Sequence, residues 1–298
     1  MTIFIFGEAM LEYHTRGGAH GVQYGGDTLN TAIHLSRMGH DVAYATAVGA
    51  DPVSDALIAA WAAEGLNTNH ILRHPQRSPG MYAIHLDDKG ERSFLYWRDH
   101  SAARDMFSLP EMDAVITAAQ KANLLYFSLI TLAILPDDGR RKLLDLAATL
   151  RQNGGQVAYD SNFRPNLWAN FAEARMWSQR AMAVTDIGLP TNVDECQLHE
   201  QQLSEAEIAA RWTDSGCSEV VVKAGEKGCL LSRAGEAPVH FDANLVTVID
   251  SSGAGDAFNA GYLGGRVAGM TAQDAIAKGQ ALASKVIGQY GAIPAMDT

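Results

Sequence analysis

The stretch Asp250-Ser251-Ser252-Gly253-Ala254-Gly255-Asp256-Ala257-Phe258 joins an apolar run, Leu245 to Ile249, to a helical pattern from Gly253 to Gly269. The run reads as a strand and the junction as a helix N-terminus. Such a terminus carries unpaired backbone N–H groups, and glycine lets a phosphate approach them without a side chain in the way. Asp256 is the odd residue there. A carboxylate beside an anion site repels the ligand unless it has a task, such as accepting a proton from an attacking hydroxyl. It can equally serve the helix start, where an acid stabilises by about 0.3–1 kcal/mol. Gly253 to Asp256 alone fit both readings.

The longer string decides. Asp-Ser-Ser-Gly-Ala-Gly-Asp-Ala-Phe-Asn-Ala-Gly, residues 250–261, resembles the C-terminal signature of the ribokinase-like (phosphofructokinase-B type) carbohydrate kinases. Ser251 and Ser252 stand where that signature usually has threonines. The resemblance implies that Asp256 is a catalytic base and that Gly253, Ala254 and Gly255 form an anion hole for a transferred phosphoryl group.

Around this stretch, apolar runs and helical patterns alternate. Ile3–Phe6, Val42–Val48, Leu124–Ser128, Val157–Tyr159, Ile187–Leu189 and Val220–Lys223 read as strands. Asp27–Met38, Asp51–Glu64, Pro136–Gln152, Ala169–Val184 and Ser204–Ser215 read as helices. This rhythm predicts an α/β fold with a mostly parallel central sheet and helices on both faces, the ribokinase-like architecture. Two stretches break it. Residues 10–24 and 81–98 read as short strands, with Asp88-Lys89-Gly90 as a hairpin turn. They predict a small, discontinuous β lid on a single kinase domain. Gly261, Gly264, Gly265 and Gly269 crowd one helix, although an interior glycine costs about 1 kcal/mol relative to alanine. Close packing against a sheet or a nucleotide would account for them.

Bulk properties narrow the function. A formal net charge of −11 over 298 residues argues against general nucleic-acid binding. No apolar run approaches a membrane span, and Met1 to Phe6 has neither the basic flank nor the length of a signal peptide. The three cysteines, Cys196, Cys217 and Cys229, form no paired motif, which suits a reduced cytoplasm. A Walker-type loop is missing, and the ten histidines show no metal-ligand clustering.

Further motifs fall in family order. Gly25-Gly26-Asp27-Thr28-Leu29-Asn30 sits at a strand-to-helix turn. It suits a simple turn capped by Asp27 or Thr28; by resemblance, Gly25, Gly26 and Asn30 hold a sugar. Tyr96 and Arg98, two apart on a strand, share a face, and Trp97 is expected to face away and pack. An arginine beside tyrosines suits a carboxylate. Elements like Pro79-Gly80-Met81-Tyr82 and Tyr96-Trp97-Arg98 occur in family members that act on 2-keto-3-deoxygluconate, implying that Tyr82, Tyr96 and Arg98 recognise an acid sugar. Asp160-Ser161-Asn162-Phe163-Arg164 follows a strand end. There Arg164 bridges substrate and phosphates by resemblance, or else pairs with Asp160, and Asn162 is assigned to the nucleotide. Thr191-Asn192-Val193-Asp194-Glu195 suits an ordinary helix cap. By resemblance, Asn192 contacts phosphates and Glu195 holds Mg²⁺ through water. Lys223, Gly225 and Gly228 resemble the nucleotide loop, and Ser284, with Ala283, Gly291 and Ala292, falls where relatives wall the adenine.

The resemblance therefore implies a cytoplasmic kinase that uses ATP and Mg²⁺, with a monovalent cation left open. Its substrate would be the terminal primary hydroxyl of 2-keto-3-deoxygluconate. Fructose or another neutral sugar is the alternative substrate, and a sugar-binding regulator the non-enzymatic one. No nucleic-acid or membrane partner is expected. Relatives pair through their lids, which implies a homodimer or higher homo-oligomer.

Overall fold

Alternate residues of the first strand point into two different cores. In β1 (Thr2–Phe6), Ile3 and Ile5 face one side and Phe4 and Phe6 the other. Burial on both sides is what a parallel sheet sandwiched between helices requires. The structure, a computed structural model, describes residues 1–16, 19–86 and 92–295. Its other strands are β2 (Met10–Arg16), β3 (Ala19–Gly25), β4 (Asp41–Gly49), β5 (Ile71–His74), β6 (Gly80–Leu86) and β7 (Arg92–Trp97). They continue with β8 (Leu124–Ser128), β9 (Gln156–Asp160), β10 (Ile187–Gly188), β11 (Glu219–Lys223), β12 (Cys229–Arg233) and β13 (Val239–Phe241). The helices are α1 (Asp27–Arg37), α2 (Pro52–Ala63), α3 (Met112–Ala119), α4 (Leu129–Ile134) and α5 (Asp137–Gln152). After them come α6 (Phe171–Ala183), α7 (Asn192–His199), α8 (Glu205–Asp214), α9 (Ala254–Val267) and α10 (Ala272–Ile287).

Nine strands form the main sheet in the order β13-β12-β11-β10-β9-β8-β1-β4-β5. Pairing is parallel from β11 to β5, and β12 and β13 add an antiparallel edge. Helices α1, α2, α9 and α10 cover one face through Leu29, Trp61, Leu263 and Ile276. The opposite face meets α3, α5, α6 and α8 through Val115, Leu143, Trp177 and Ile208. Strand order reverses between β1 and β8. Open α/β sheets bind ligands in the crevice outside the strand ends at such a reversal.

The two stretches that interrupt the rhythm build a second sheet, ordered β3-β2-β6-β7. Its central pair, β2 and β6, runs parallel with Met10 opposite Gly80. The hairpin expected at Asp88-Lys89-Gly90 lies outside the described residues.

Three expectations need correction. Residues 245–249 form no strand. Leu245, Val246 and Val248 instead line a cavity, so their apolar character serves a pocket wall. Gly261 and Gly265 of α9 face another helix rather than the sheet. A Cβ on Gly261 would lie 2.7 Å from Gly279 Cα, and one on Gly265 would lie 3.0 Å from Ala275 Cβ, both on α10. The two helices pack backbone to backbone, which any larger side chain would prevent. Trp97 turns away from its neighbours as alternation requires, yet it stays 55% exposed.

Candidate active site

Two motifs more than two hundred residues apart meet at the sheet reversal. Asn30, in the first turn of α1, donates from Nδ2 to Asp256 Oδ2 at 2.8 Å, and the Thr31 hydroxyl donates to the Asp256 carbonyl at 3.3 Å. Asn30 Oδ1 is buried with no partner in the protein. An unpaired buried acceptor is costly, so this atom is a natural place for a ligand hydroxyl. Asp256 is itself buried in the first turn of α9. Burial and the nearby Asp27 and Asp160 carboxylates push it up to about 8, against the Asn30 hydrogen bond and Lys223, which pull it down.

The turn into α9 depends on Gly253, whose φ of 71° is left-handed. A Cβ there would also sit 2.6 Å from the Ala292 Cβ. Asp250 braces this turn by accepting from the amides of Ser252 and Gly291, each at 2.9 Å. The amides that follow open onto a cavity of about 360 Å³ whose wall includes Lys223, Gly225, Gly228, Ala254, Gly255 and Ser284. That volume lies within the usual range for small-molecule sites. Ser284 also donates to the Asn244 carbonyl at 3.3 Å, fixing part of the wall. The cavity thus reaches Gly255, one residue short of Asp256.

On the other side of Asp256 stands the second sheet. A Cβ on Gly25 would lie 2.5 Å from the Tyr82 hydroxyl, so that glycine leaves room for the phenol. Tyr82 donates to Glu12 and lies opposite Tyr96, their ring centroids 5.9 Å apart. Gly26 precedes α1 with a φ of 146°. Arg98 is ion-paired with Glu8, and both side chains are almost fully buried, at 7% and 1% exposure. Sequence inspection gave Glu8 no role, because its partner is ninety positions away. Neither Asp27 nor Thr28 is the expected cap, since Gly26 is the N-cap residue of α1 and makes no side-chain cap bond; Asp27 has another task. It accepts from the Ser128 hydroxyl and, at 3.1 Å, from Asn162 Nδ2. Asn162 therefore sits with the α1 group rather than along the cavity wall.

The remaining expected residues are spread further. Arg164 is half exposed and bonds the Phe163 carbonyl at 2.7 Å and Asp194 at 3.4 Å, not Asp160. Asn192 donates to the Leu203 carbonyl at 2.9 Å and caps nothing; Thr191 is the N-cap residue. Glu195 is buried, lies 3.7 Å from His199, and is pushed up to about 7 by its desolvation. As placed, its carboxylate is not on the cavity wall and does not suit a cation carried by nucleotide phosphates. Among the described residues no group of three or more His, Cys, Asp or Glu side chains is arranged to hold a metal ion.

The pfkB family carbohydrate kinase profile matches residues 8–298. The chain belongs to that family. A 2-dehydro-3-deoxygluconokinase from Dickeya dadantii is 40% identical over 298 residues, covering 98% of this chain and 96% of its own. One of the same name from Escherichia coli K12 is also 40% identical over 298 residues, with the same coverage. The crystal structure of aminoimidazole riboside kinase from Salmonella enterica, complexed with aminoimidazole riboside and an ATP analog, superposes with a TM-score of 0.84 at 22% identity. It covers 98% of this chain and 95% of that one, a likeness of fold. The family relation accounts for the nine-stranded sheet, the small second sheet and the glycine-rich start of α9 together.

Proposed function

We propose that this pfkB-family chain transfers the γ-phosphoryl group of ATP to the terminal primary hydroxyl of 2-keto-3-deoxygluconate, giving 2-keto-3-deoxy-6-phosphogluconate. One observation carries the chemistry: Asp256, held by Asn30 in the first turn of α9, stands one residue beyond Gly255, which borders a nucleotide-sized cavity. The identity to two 2-dehydro-3-deoxygluconokinases supports the choice of sugar.

ATP lies in the cavity with its phosphates toward the start of α9. Gly225, Gly228 and Ser284 bound it, and Lys223 reaches its wall. The sugar occupies the crevice between Gly25, Gly26 and Asn30 and the second sheet, which serves as a lid. Tyr82, Tyr96 and Arg98 face it from there, and Arg164 approaches from beyond β9. Asp256 accepts the hydroxyl proton as the oxygen attacks in line, and the amides of Gly253, Ala254 and Gly255 stabilise charge on the moving phosphoryl oxygens. Mg²⁺ arriving on the nucleotide would neutralise phosphate charge. Lid closure keeps out water that would otherwise consume ATP. Three unpaired thiols, two of them buried, support a reduced cytoplasmic setting.

The Glu8–Arg98 pair favours a second reading, because it balances the Arg98 charge without an anionic ligand, even though Arg98 Nε stays buried with no partner. A substrate panel with ATP separates the two. For 2-keto-3-deoxygluconate, kcat/KM is expected to exceed that for fructose by about 10²-fold or more, the scale set by mismatched polar contacts. Equal values would make this a neutral-sugar kinase, and sugar binding without ADP release would make it a regulator.

The proposal extends to a homodimer through the lid. Val22, Leu95 and Trp97 stand 67%, 56% and 55% exposed on its outer face, an apolar strip that a second copy would cover. Sedimentation equilibrium is expected to show a dimer that Trp97→Glu dissociates. A monomeric parent protein would remove this part.

A further inference from the structure

One residue of α9 touches neither ligand pocket yet is held by three strands at once. Asn259 Oδ1 accepts from Lys223 Nζ at 2.9 Å, while its Nδ2 donates to Asp160 Oδ2 at 2.8 Å and to the Tyr126 hydroxyl at 3.1 Å. Lys223 closes the ring by donating to Asp160 Oδ1 at 3.1 Å. Tyr126 belongs to β8, Asp160 to β9 and Lys223 to β11. The amide cannot flip without setting its NH₂ against the ammonium.

All four residues are buried, beside a core of aliphatic and aromatic side chains that includes Tyr44, Phe258 and Tyr262. Burying an ammonium, a carboxylate and an amide costs several kcal/mol unless each is paired. Apolar residues of the same size would fill the space more simply. What they would not supply is direction. Asn259 lies three residues after Asp256, so the two share one side of α9, a turn apart. The ring thus fixes how far the first turn of α9 sits from the strand ends, and how it is rotated.

We infer that Asn259, clamped by Asp160 and Lys223, is a positioning residue that aims Asp256 and the neighbouring amides of α9 at the point of phosphoryl transfer. This inference rests on the proposed kinase reading. It also gives Lys223 a second task besides bordering the cavity: two of its three N–H groups serve the ring. The charged and titratable groups that act on Asp256 are Asp27, Asp160 and Lys223, and Tyr126 completes the ring around them.

The test is Asn259→Leu in the full chain, with steady-state kinetics over a pH series and a thermal melt. Misplacement of a reacting group on the ångström scale lowers rate about 100-fold, and kcat is expected to fall by about that much. KM for ATP and for the acid sugar should stay within about threefold of the parent values, as for an interaction felt only at the transition state. The acid limb of the kcat profile should move, because Asp160 and Lys223 lose a shared partner. Asn259→Ser, which keeps a donor and an acceptor, should recover part of kcat. A merely structural role would leave the pH profile of the folded fraction unchanged. That result would overturn the inference, as would near-parental kcat in folded Asn259→Leu or a rise in KM for ATP alone. If Asn259→Leu does not fold, Asn259→Ser is held to the same pH and KM criteria. Should the parent chain release no ADP with any sugar of the panel, the kinase reading itself fails; should only the Asn259 variants behave normally, the positioning role alone fails.

Discussion

Asp256→Asn is expected to lower kcat by about 10²–10⁴-fold, the scale of a lost general base. The substitution keeps the size of the side chain and an oxygen able to accept from Asn30, so α9 should keep its place. Only the capacity to take a proton is removed. Near-parental turnover in a folded variant would reject the base. The pH profile gives an independent check. In the free protein, burial and the carboxylates of Asp27 and Asp160 raise Asp256 to about 8. A base works only once deprotonated, so kcat/KM should climb with pH through an acid limb near that value. Asp27→Asn removes a repelling charge, makes the proton easier to lose, and should carry the limb to lower pH. A shift upward would contradict the assignment.

The second large effect concerns Arg98. Removing one member of a buried ion pair leaves the other uncompensated, typically at a cost of about 3–5 kcal/mol. Glu8 is 1% exposed and its second oxygen already lacks a partner. Arg98→Ala should therefore lower the melting temperature markedly, and adding Glu8→Gln should restore much of the loss. Binding should not recover with stability. A charge-assisted hydrogen bond contributes about 1.5–3 kcal/mol, so KM for the acid sugar should rise about tenfold or more in both variants, with far less change for neutral sugars. If acid and neutral sugars suffer alike, Arg98 is not the carboxylate anchor.

How much of this could be read from sequence follows from the range of the interactions. The strand and helix pattern of the main sheet was legible because periodicity is local, and so was the turn at Gly253. The segment 245–249 misled because apolar residues look alike whether they face a core or a cavity. The antiparallel edge β12–β13 and the short α4 were not anticipated, being too short to show a period. Glu8, Asp27 and Asn259 were missed as site residues for another reason. Each has a role only through partners far along the chain: Arg98, Ser128 and Asn162, and Asp160 and Lys223. A motif reveals what touches a ligand. What holds the motif in place becomes visible only when the chain is folded.

Glu8 lies on the short link from β1 into β2, and Arg98 is the residue at which the chain leaves β7. One ionic clasp therefore fastens the entry and the exit of the small sheet to each other. A carboxylate that competes with Glu8 for the guanidinium, as the proposed function has it, would slacken that clasp and so join catching the sugar to re-aiming its cover.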